Sequence, residues 1–363
     1  MIFNSIIPIP YYTPIFYNTV LVMVFFTVLK LFTKGYVIQN PNKKEYTSLI
    51  LMFAVILYMG LRPVSVYFAD MVTYNSRFLE YAKGRDLVLG KDVFWESFMK
   101  FCSTVMTAKI FFLVCAILYV FPLYKASKNW FGEDKYLVFL MFIASFSFWA
   151  AGTNGIRNAI ATSLFVFGIS YADNRKLQFS IIALSFFIHA SMIVPISAFV
   201  LIIFYKNPKY YMLGWLFCIP LSLALGDVFE NLFALLGFGG NRISYLTEEN
   251  VNKNAFAYTG FRWDFLIYSA TAVFSGYYFI IKKKFTDKVY IQLFNIYVIA
   301  NAFWILVIRA NFSNRFAYLS WFLMAAVIFY PFFKQRFFKN QQKVLAYVIL
   351  SYFGFTYFMF LIK

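Results

Sequence analysis

Apolar runs near the ~20 residues that cross a bilayer recur along the whole chain, separated by short polar or charged breaks. The runs 11–32 and 46–61 come first, with Lys34, Lys43 and Lys44 between them and Arg62 at the second exit. A mixed-charge segment extends to Lys109. Runs 110–124 and 136–151 follow, with 125–135 expected as a short charged loop between them. Residues 154–191 then read as a membrane hairpin. Arg157 opens one apolar run, Asp173, Asn174, Arg175 and Lys176 make a tight charged turn, and the second run ends at His189. This pattern puts Arg157 and His189 on the same membrane face.

Residues 177–205 hold no charge apart from His189, and their 29 residues are long for one span and short for two. The distribution of basic residues decides. With two spans meeting near His189, Ala190 and Ser191, Lys206, Lys209, Lys282, Lys283, Lys284, Lys288, Lys334, Arg336, Lys339 and Lys343 share the side of the earlier basic loops. With one span, all ten flip outside. Cytoplasmic loops carry the Lys/Arg excess, so two spans are expected. Runs 210–226, 265–281, 289–308, 316–333 and 344–362 complete about twelve crossings, with both termini outside.

The expected fold is an all-α polytopic membrane protein, one integral membrane domain over 1–363 with two long outer (periplasmic) segments at about 62–109 and 227–262. No basic residue precedes Lys30, so the first run is expected as an uncleaved span rather than a signal peptide.

Composition agrees. The 363 residues are 62% hydrophobic and 13% charged, about half the ~25% of soluble domains. The net charge of +18 does not imply nucleic acid, because the basic residues punctuate the ends of apolar runs. The 23% aromatic content reads as lipid-facing and interfacial packing. Cys102, Cys115 and Cys218 are isolated, which argues against a disulfide framework or a metal site. There is no P-loop, Rossmann glycine fingerprint, paired-cysteine zinc spacing or HExxH. No cofactor and no metal are expected.

Candidate chemistry gathers on the outer side, each residue beside a plainer alternative. Arg157, followed by Asn158, is an interfacial arginine that snorkels or a guanidinium that binds a diphosphate. His189, the single histidine, is a buried ring bonded to a carbonyl or a proton acceptor. Asp70, Tyr74 and Phe78 share one face of an outer helix, solvated or presenting a carboxylate to an acceptor hydroxyl. Arg242 and Tyr245 follow Gly237, Gly239, Gly240 and Asn241, in an ordinary loop or a glycine-hinged one. Arg309 and Arg315 bracket an outer turn with no carboxylate of its own, as interfacial anchors or as part of a cationic outer cavity.

The hairpin, with Arg157–Asn158, a small alanine-containing helix, the basic turn Arg175–Lys176, and His189 two residues before Ser191, resembles the EpsG family of polysaccharide polymerases, relatives of the Wzy O-antigen polymerases. The segment around Asp70, Tyr74 and Phe78 is similar to the family's early outer loop, although Ala69 stands where the family usually has glycine. Residues 241–246 and 314–322 echo its later arginine segments.

The resemblance implies a GT-C-like membrane glycosyltransferase of the bacterial cytoplasmic (inner) membrane, active on the periplasmic side in O-antigen or lipopolysaccharide biosynthesis. It would join repeat units carried on undecaprenyl diphosphate, adding the growing chain to the non-reducing end of the next unit. His189, Asp70 and Arg157 are then the catalytic candidates, with His189 favoured over Asp70 as base. Arg157, Arg242, Arg309 and Arg315 would bind the diphosphate, and Asn158, Ser191, Tyr74 and Tyr245 would position substrate. The expected partners are the lipid-linked oligosaccharide and membrane lipid, with a chain-length regulator protein as a further candidate. An O-antigen ligase, a membrane O-acyltransferase and a non-enzymatic glycolipid flippase are the competing readings.

Overall fold

In lipid the backbone has no water to bond, so apolar runs satisfy their amides and carbonyls within helices. The computed structural model describes residues 7–33, 46–88, 92–235, 260–311 and 313–362, and among these the regular structure is helical, with no strand. The helices are α1 (Tyr12–Thr33), α2 (Thr47–Gly60), α3 (Met71–Ala82), α4 (Val93–Val105), α5 (Ala108–Phe131), α6 (Lys135–Ile143), α7 (Phe148–Thr153) and α8 (Ile156–Ile169). They continue as α9 (Arg175–Ile188), α10 (Ile193–Phe204), α11 (Pro208–Leu235), α12 (Trp263–Gly276), α13 (Lys288–Leu306), α14 (Ser313–Trp321), α15 (Met324–Lys334) and α16 (Gln341–Leu361).

Among the described residues, seven helical stretches are long and apolar enough to cross a membrane: 9–33, 108–143, 208–233, 263–282, 288–306, 313–334 and 341–361. Three more apolar helices, Thr47–Gly60, Ile156–Ile169 and Ala190–Phe204, are shorter. The chain is thus a multi-pass, all-helical membrane protein. Large apolar side chains such as Phe25, Phe26, Leu213 and Phe217 are exposed, as lipid-facing positions must be.

Three boundaries differ from the sequence expectation. Residues 125–135 are not a loop: α5 continues to Phe131, and only a 3-10 turn, Gly132–Asp134, separates it from α6. Lys125 and Lys128 ride on the last helical turns, where cations suit the carbonyl end. The run 136–151 is two helices, α6 and α7, rather than one. The second crossing after the hairpin does not stop at Gly226: α11 passes non-helical backbone at Leu225 and runs on to Leu235, so Asp227 and Glu230 lie on a helix.

The chain divides into two compact units, one of Met1–His189 with Phe332–Lys363 and the other of Ala190–Pro331. In the first, α5 lies between α2 and α8, α8 pairs with α9, α1 pairs with α16, and α3 and α4 pair with each other. Small residues allow the close approaches. A Cβ at Gly60 would sit 2.8 Å from the Leu113 Cα, and one at Gly168 would sit 2.8 Å from Ile182 Cγ1 and 3.2 Å from its backbone nitrogen. In the second unit α13 is central, packing against α10, α11, α12 and α14. A buried chain of hydrogen bonds fixes it there. Trp215 Nε1 donates to Asn301 Oδ1 at 2.7 Å, and Asn301 Nδ2 donates to Ser320 Oγ at 2.9 Å.

Candidate functional site

The hairpin starts at a break between two helices. Asn154 ends α7, Gly155 precedes α8, and α8 then carries Arg157 and Asn158 in its first turn. At its far end the turn closes locally, with Asn174 Oδ1 accepting from the Leu177 amide to start α9. Both helices have 14 residues, about 21 Å at 1.5 Å per residue, short of the ~30 Å hydrocarbon thickness. Equal lengths and antiparallel pairing return the chain to its starting end. His189 ends α9 in an extended conformation, φ −148° and ψ 115°, before a 3-10 turn Ala190–Met192 and α10. The expected helix break at His189 is therefore present. Phe187, two residues earlier, packs its ring 6.4 Å from that of Phe94 on α4.

The first turn of α4 also reaches Arg157. Asp92, just before α4, forms an ion pair with Arg157 Nη1 at 2.5 Å. Arg157 Nε donates to the Tyr74 hydroxyl at 3.2 Å, and its guanidinium carbon lies 5.8 Å from the Tyr74 ring centre. Tyr74 in turn meets Trp95 edge-on at 6.0 Å. Arg157 is thus fixed on two edges by Tyr74 and Asp92, while Nη2 has no partner among the described residues. The Arg157 side chain is 23% exposed and Asp92 9%, so the pair is shielded from bulk water.

One turn further along α4, Glu96 does the same for α3. It accepts from Arg77 Nη1 at 2.9 Å and from the Tyr81 hydroxyl at 2.7 Å. Burial first, and then the bond to Glu96, push the Tyr81 phenol pKa up, so it stays a neutral donor. The α3 face predicted from Asp70, Tyr74 and Phe78 turns inward and is not solvated. Phe78 is 2% exposed and packs on Phe111 of α5 at 5.0 Å. The half-buried Asp70 precedes α3 without capping it, and its amide donates to Asn154 Oδ1 at 3.1 Å. Asp70 is therefore tied to the α7–α8 break itself.

Arg62 also belongs to this region. It is 4% exposed and donates to the carbonyls of Met59, of Gly152 at 3.5 Å and of Thr153 at 3.0 Å. The faces of Phe68 and Phe112 lie 5.3 and 6.0 Å from its guanidinium carbon. It has no carboxylate partner among the described residues. Orphan carbonyls at the ends of α2 and α7 take that place.

The other expected residues are distributed as follows. Asn158 is 5% exposed, on the same turn as Arg157. Ser191 is half-buried in the 3-10 turn after His189. Arg309 and Arg315 belong to the second unit. Arg309 does not lack a partner: Nη2 donates to the Leu223 carbonyl at 3.2 Å, beside the irregular backbone of α11. Gly226 and Glu230 lie on that same strip, and Arg309 acts electrostatically on Glu230. Arg315 sits in the first turn of α14 rather than in the loop before it. Arg242 and Tyr245, with Gly237, Gly239, Gly240 and Asn241, lie outside the described residues.

Sequence reasoning missed Asp92, Trp95, Glu96 and Arg62. A signal existed for two of them, because Asp92 and Glu96 are one helical turn apart and frame Trp95 in an otherwise apolar stretch. Arg62 gave none beyond its place at the end of a span.

No curated protein and no solved structure is significantly similar to the chain. The model of the EpsG family matches residues 46–363, which take in α2 and the whole hairpin, and the chain accordingly belongs to the EpsG family, whose members are Wzy-like polysaccharide polymerases.

Proposed function

We propose that this polymerase joins oligosaccharide repeat units carried on undecaprenyl diphosphate, on the outer face of the bacterial cytoplasmic membrane, into O-antigen or a similar surface polysaccharide. The observation that carries this reading is the arginine–histidine end of the α8–α9 hairpin. There Arg157 is oriented by Tyr74 and Asp92 with one edge unpartnered, and His189 breaks the helix beside it. Ionisable groups at such depth are costly, which makes a role in catalysis the default hypothesis.

The reaction breaks the bond between the anomeric carbon of the growing chain and its lipid diphosphate. It forms a glycosidic bond to a hydroxyl at the non-reducing end of the next unit. The diphosphate leaves with the bonding pair and needs cationic donors. Arg157 supplies a guanidinium edge in this reading, with Arg242, Arg309 and Arg315 as further donors. His189 takes the acceptor proton, with Asp70 as the alternative base. Asn158, Ser191, Tyr74 and Tyr245 position substrate. A GT-C-like architecture of about twelve crossings belongs to the same proposal, with the short spans of the hairpin setting the site in a recess.

The test is reconstitution with purified lipid-linked repeat unit. Wild type should yield a polymer ladder, and Arg157→Ala and His189→Ala only single-repeat glycolipid at normal protein level. Ladders of normal length from both variants would overturn the assignment. In cells from which the protein has been deleted, single repeats accumulating on the outer face mark a polymerase, inner-facing repeats a flippase and unattached long polymer a ligase.

A further inference from the structure

Residues 62–109 are expected from the sequence as a long outer segment, but α4 within it has the polarity of a helix in lipid. Its carboxylates point into the protein. Asp92 at its start pairs with Arg157, and Glu96 accepts from Arg77 and Tyr81. Trp95, Met99 and Cys102 share that buried face. The opposite face is apolar and open. Phe94, Phe101 and Val105 follow an i, i+7, i+11 spacing, which sets them on one stripe, and they are 45%, 65% and 60% exposed. The exposed Ser97 and Thr104 beside them are uncharged, and Lys100 falls off the stripe. A helix of 13 residues in water does the reverse, with phenylalanine inside and carboxylates outside.

The helix paired with it is built differently. Thr73 and Ser76 on α3 are exposed, as is Lys83 at its end, and the Glu80–Arg85 ion pair stands in the open. Val72 and Leu79 are the apolar exceptions. One helix of the pair therefore suits water and the other does not.

The neighbours of α4 indicate what covers its stripe. Phe94 meets Phe187 of α9, which is exposed together with Phe179, Leu184 and Phe186. At the other end Met106 and Thr107 lead into α5, where the exposed Ile110, Ile117 and Phe121 repeat the spacing of the α4 stripe. That stretch is long and apolar enough to cross a membrane, so its open side faces acyl chains. The α4 stripe continues this apolar surface rather than standing as an isolated patch.

We propose that α4 is a membrane-inserted helix, with Phe94, Phe101 and Val105 seated among the phospholipid acyl chains of the leaflet at the Arg157 end of the hairpin, and α3 on its water side. Asp92 and Glu96 then lie on the protein side of a lipid-covered helix, where ionisable groups have to pair. The depth of α4 in the leaflet helps to set where Asp92 holds Arg157. The proposal depends on the membrane class of the chain and not on the polymerase reading.

The experiment replaces single side chains of the full-length protein with the photoreactive analogue p-benzoylphenylalanine. Phe94 and Phe101 are the two test positions. Phe26 on α1 and Phe217 on α11 serve as lipid-facing references, and Thr73 on α3 as the water-facing one. The purified proteins are placed in vesicles of phosphatidylethanolamine and phosphatidylglycerol, irradiated, and analysed by intact mass and fragmentation. Positions 94 and 101 should give acyl-chain adducts within about twofold of the lipid-facing references, and position 73 about tenfold fewer. Yields at 94 and 101 no higher than at 73 would overturn the proposal. So would adducts confined to headgroups, which would lift α4 out of the leaflet. A covalent dimer in place of the lipid adduct would assign the stripe to a second copy and overturn it too. Cross-linking needs no turnover, so none of these outcomes bears on the polymerase reading.

Discussion

Arg157 on α8 and Asp92 at the start of α4 are joined by an ion pair that is 23% and 9% exposed on its two sides. The pair fastens the start of α4 to the hairpin and sets which edge of the guanidinium is available. Removing Asp92 leaves a shielded cation without its partner, which costs about 3 kcal/mol in comparable sites. Asp92→Ala should lower the thermal midpoint in detergent and abolish polymer. Exchanging the two, as Asp92→Arg with Arg157→Asp, should recover much of the midpoint without restoring polymer, because the guanidinium then projects from α4. Polymer synthesis by the exchanged protein would show that Arg157 acts only as a fastener.

Arg62 holds three carbonyls at the ends of two helices. Arg62→Met removes these donors in a buried place and should destabilise by about 3 kcal/mol or more, counting ~1–3 kcal/mol for each carbonyl left unsatisfied. Arg62→Lys keeps the charge but not the fork, and should fall between the two. Thermal unfolding of the three proteins checks the order. Equal midpoints for wild type and Arg62→Met would mean that the carbonyls find other donors.

Ala69 has φ 44° and ψ −106°, a backbone region that L residues rarely adopt, one residue before Asp70. Glycine reaches this region without a Cβ clash, and the strain is worth about 1 kcal/mol. Ala69→Gly should therefore raise the thermal midpoint and keep full polymer length. A lower midpoint would mean that the freedom gained by the unfolded chain outweighs the strain relieved.

At Gly168 α9 packs closely on α8, with Ile182 and the Gln178 carbonyl within 3.3 Å of any added Cβ. Gly168→Val should push the helices apart and cost about 1–3 kcal/mol. Because α9 carries His189 at its other end, polymer length should fall more steeply than protein level. The contact between Phe94 and Phe187 gives a local readout: a cysteine pair at these positions should cross-link in wild type and less well in Gly168→Val.

By itself the sequence determined the membrane class, the helical segments and the hairpin. Each follows from local physics: apolar runs of sufficient length, charges at their ends, and a turn whose polar residues cap the next helix. The return of Arg157 and His189 to one end followed from two apolar runs joined by a tight charged turn, and the break at His189 from the distribution of basic residues. Lys125 and Lys128 misled, because charge marks a boundary in sequence although a helix can carry it past the lipid edge. Tertiary structure alone decided the partners. Nothing in the spacing of Asp92, Tyr74 and Arg157 says that residues 65 and 83 positions apart meet. That Arg62 would serve the end of α7 depends on how separate helices abut. Pairing of polar groups in a buried region is set by which helix ends come together, a property of packing that no local pattern encodes.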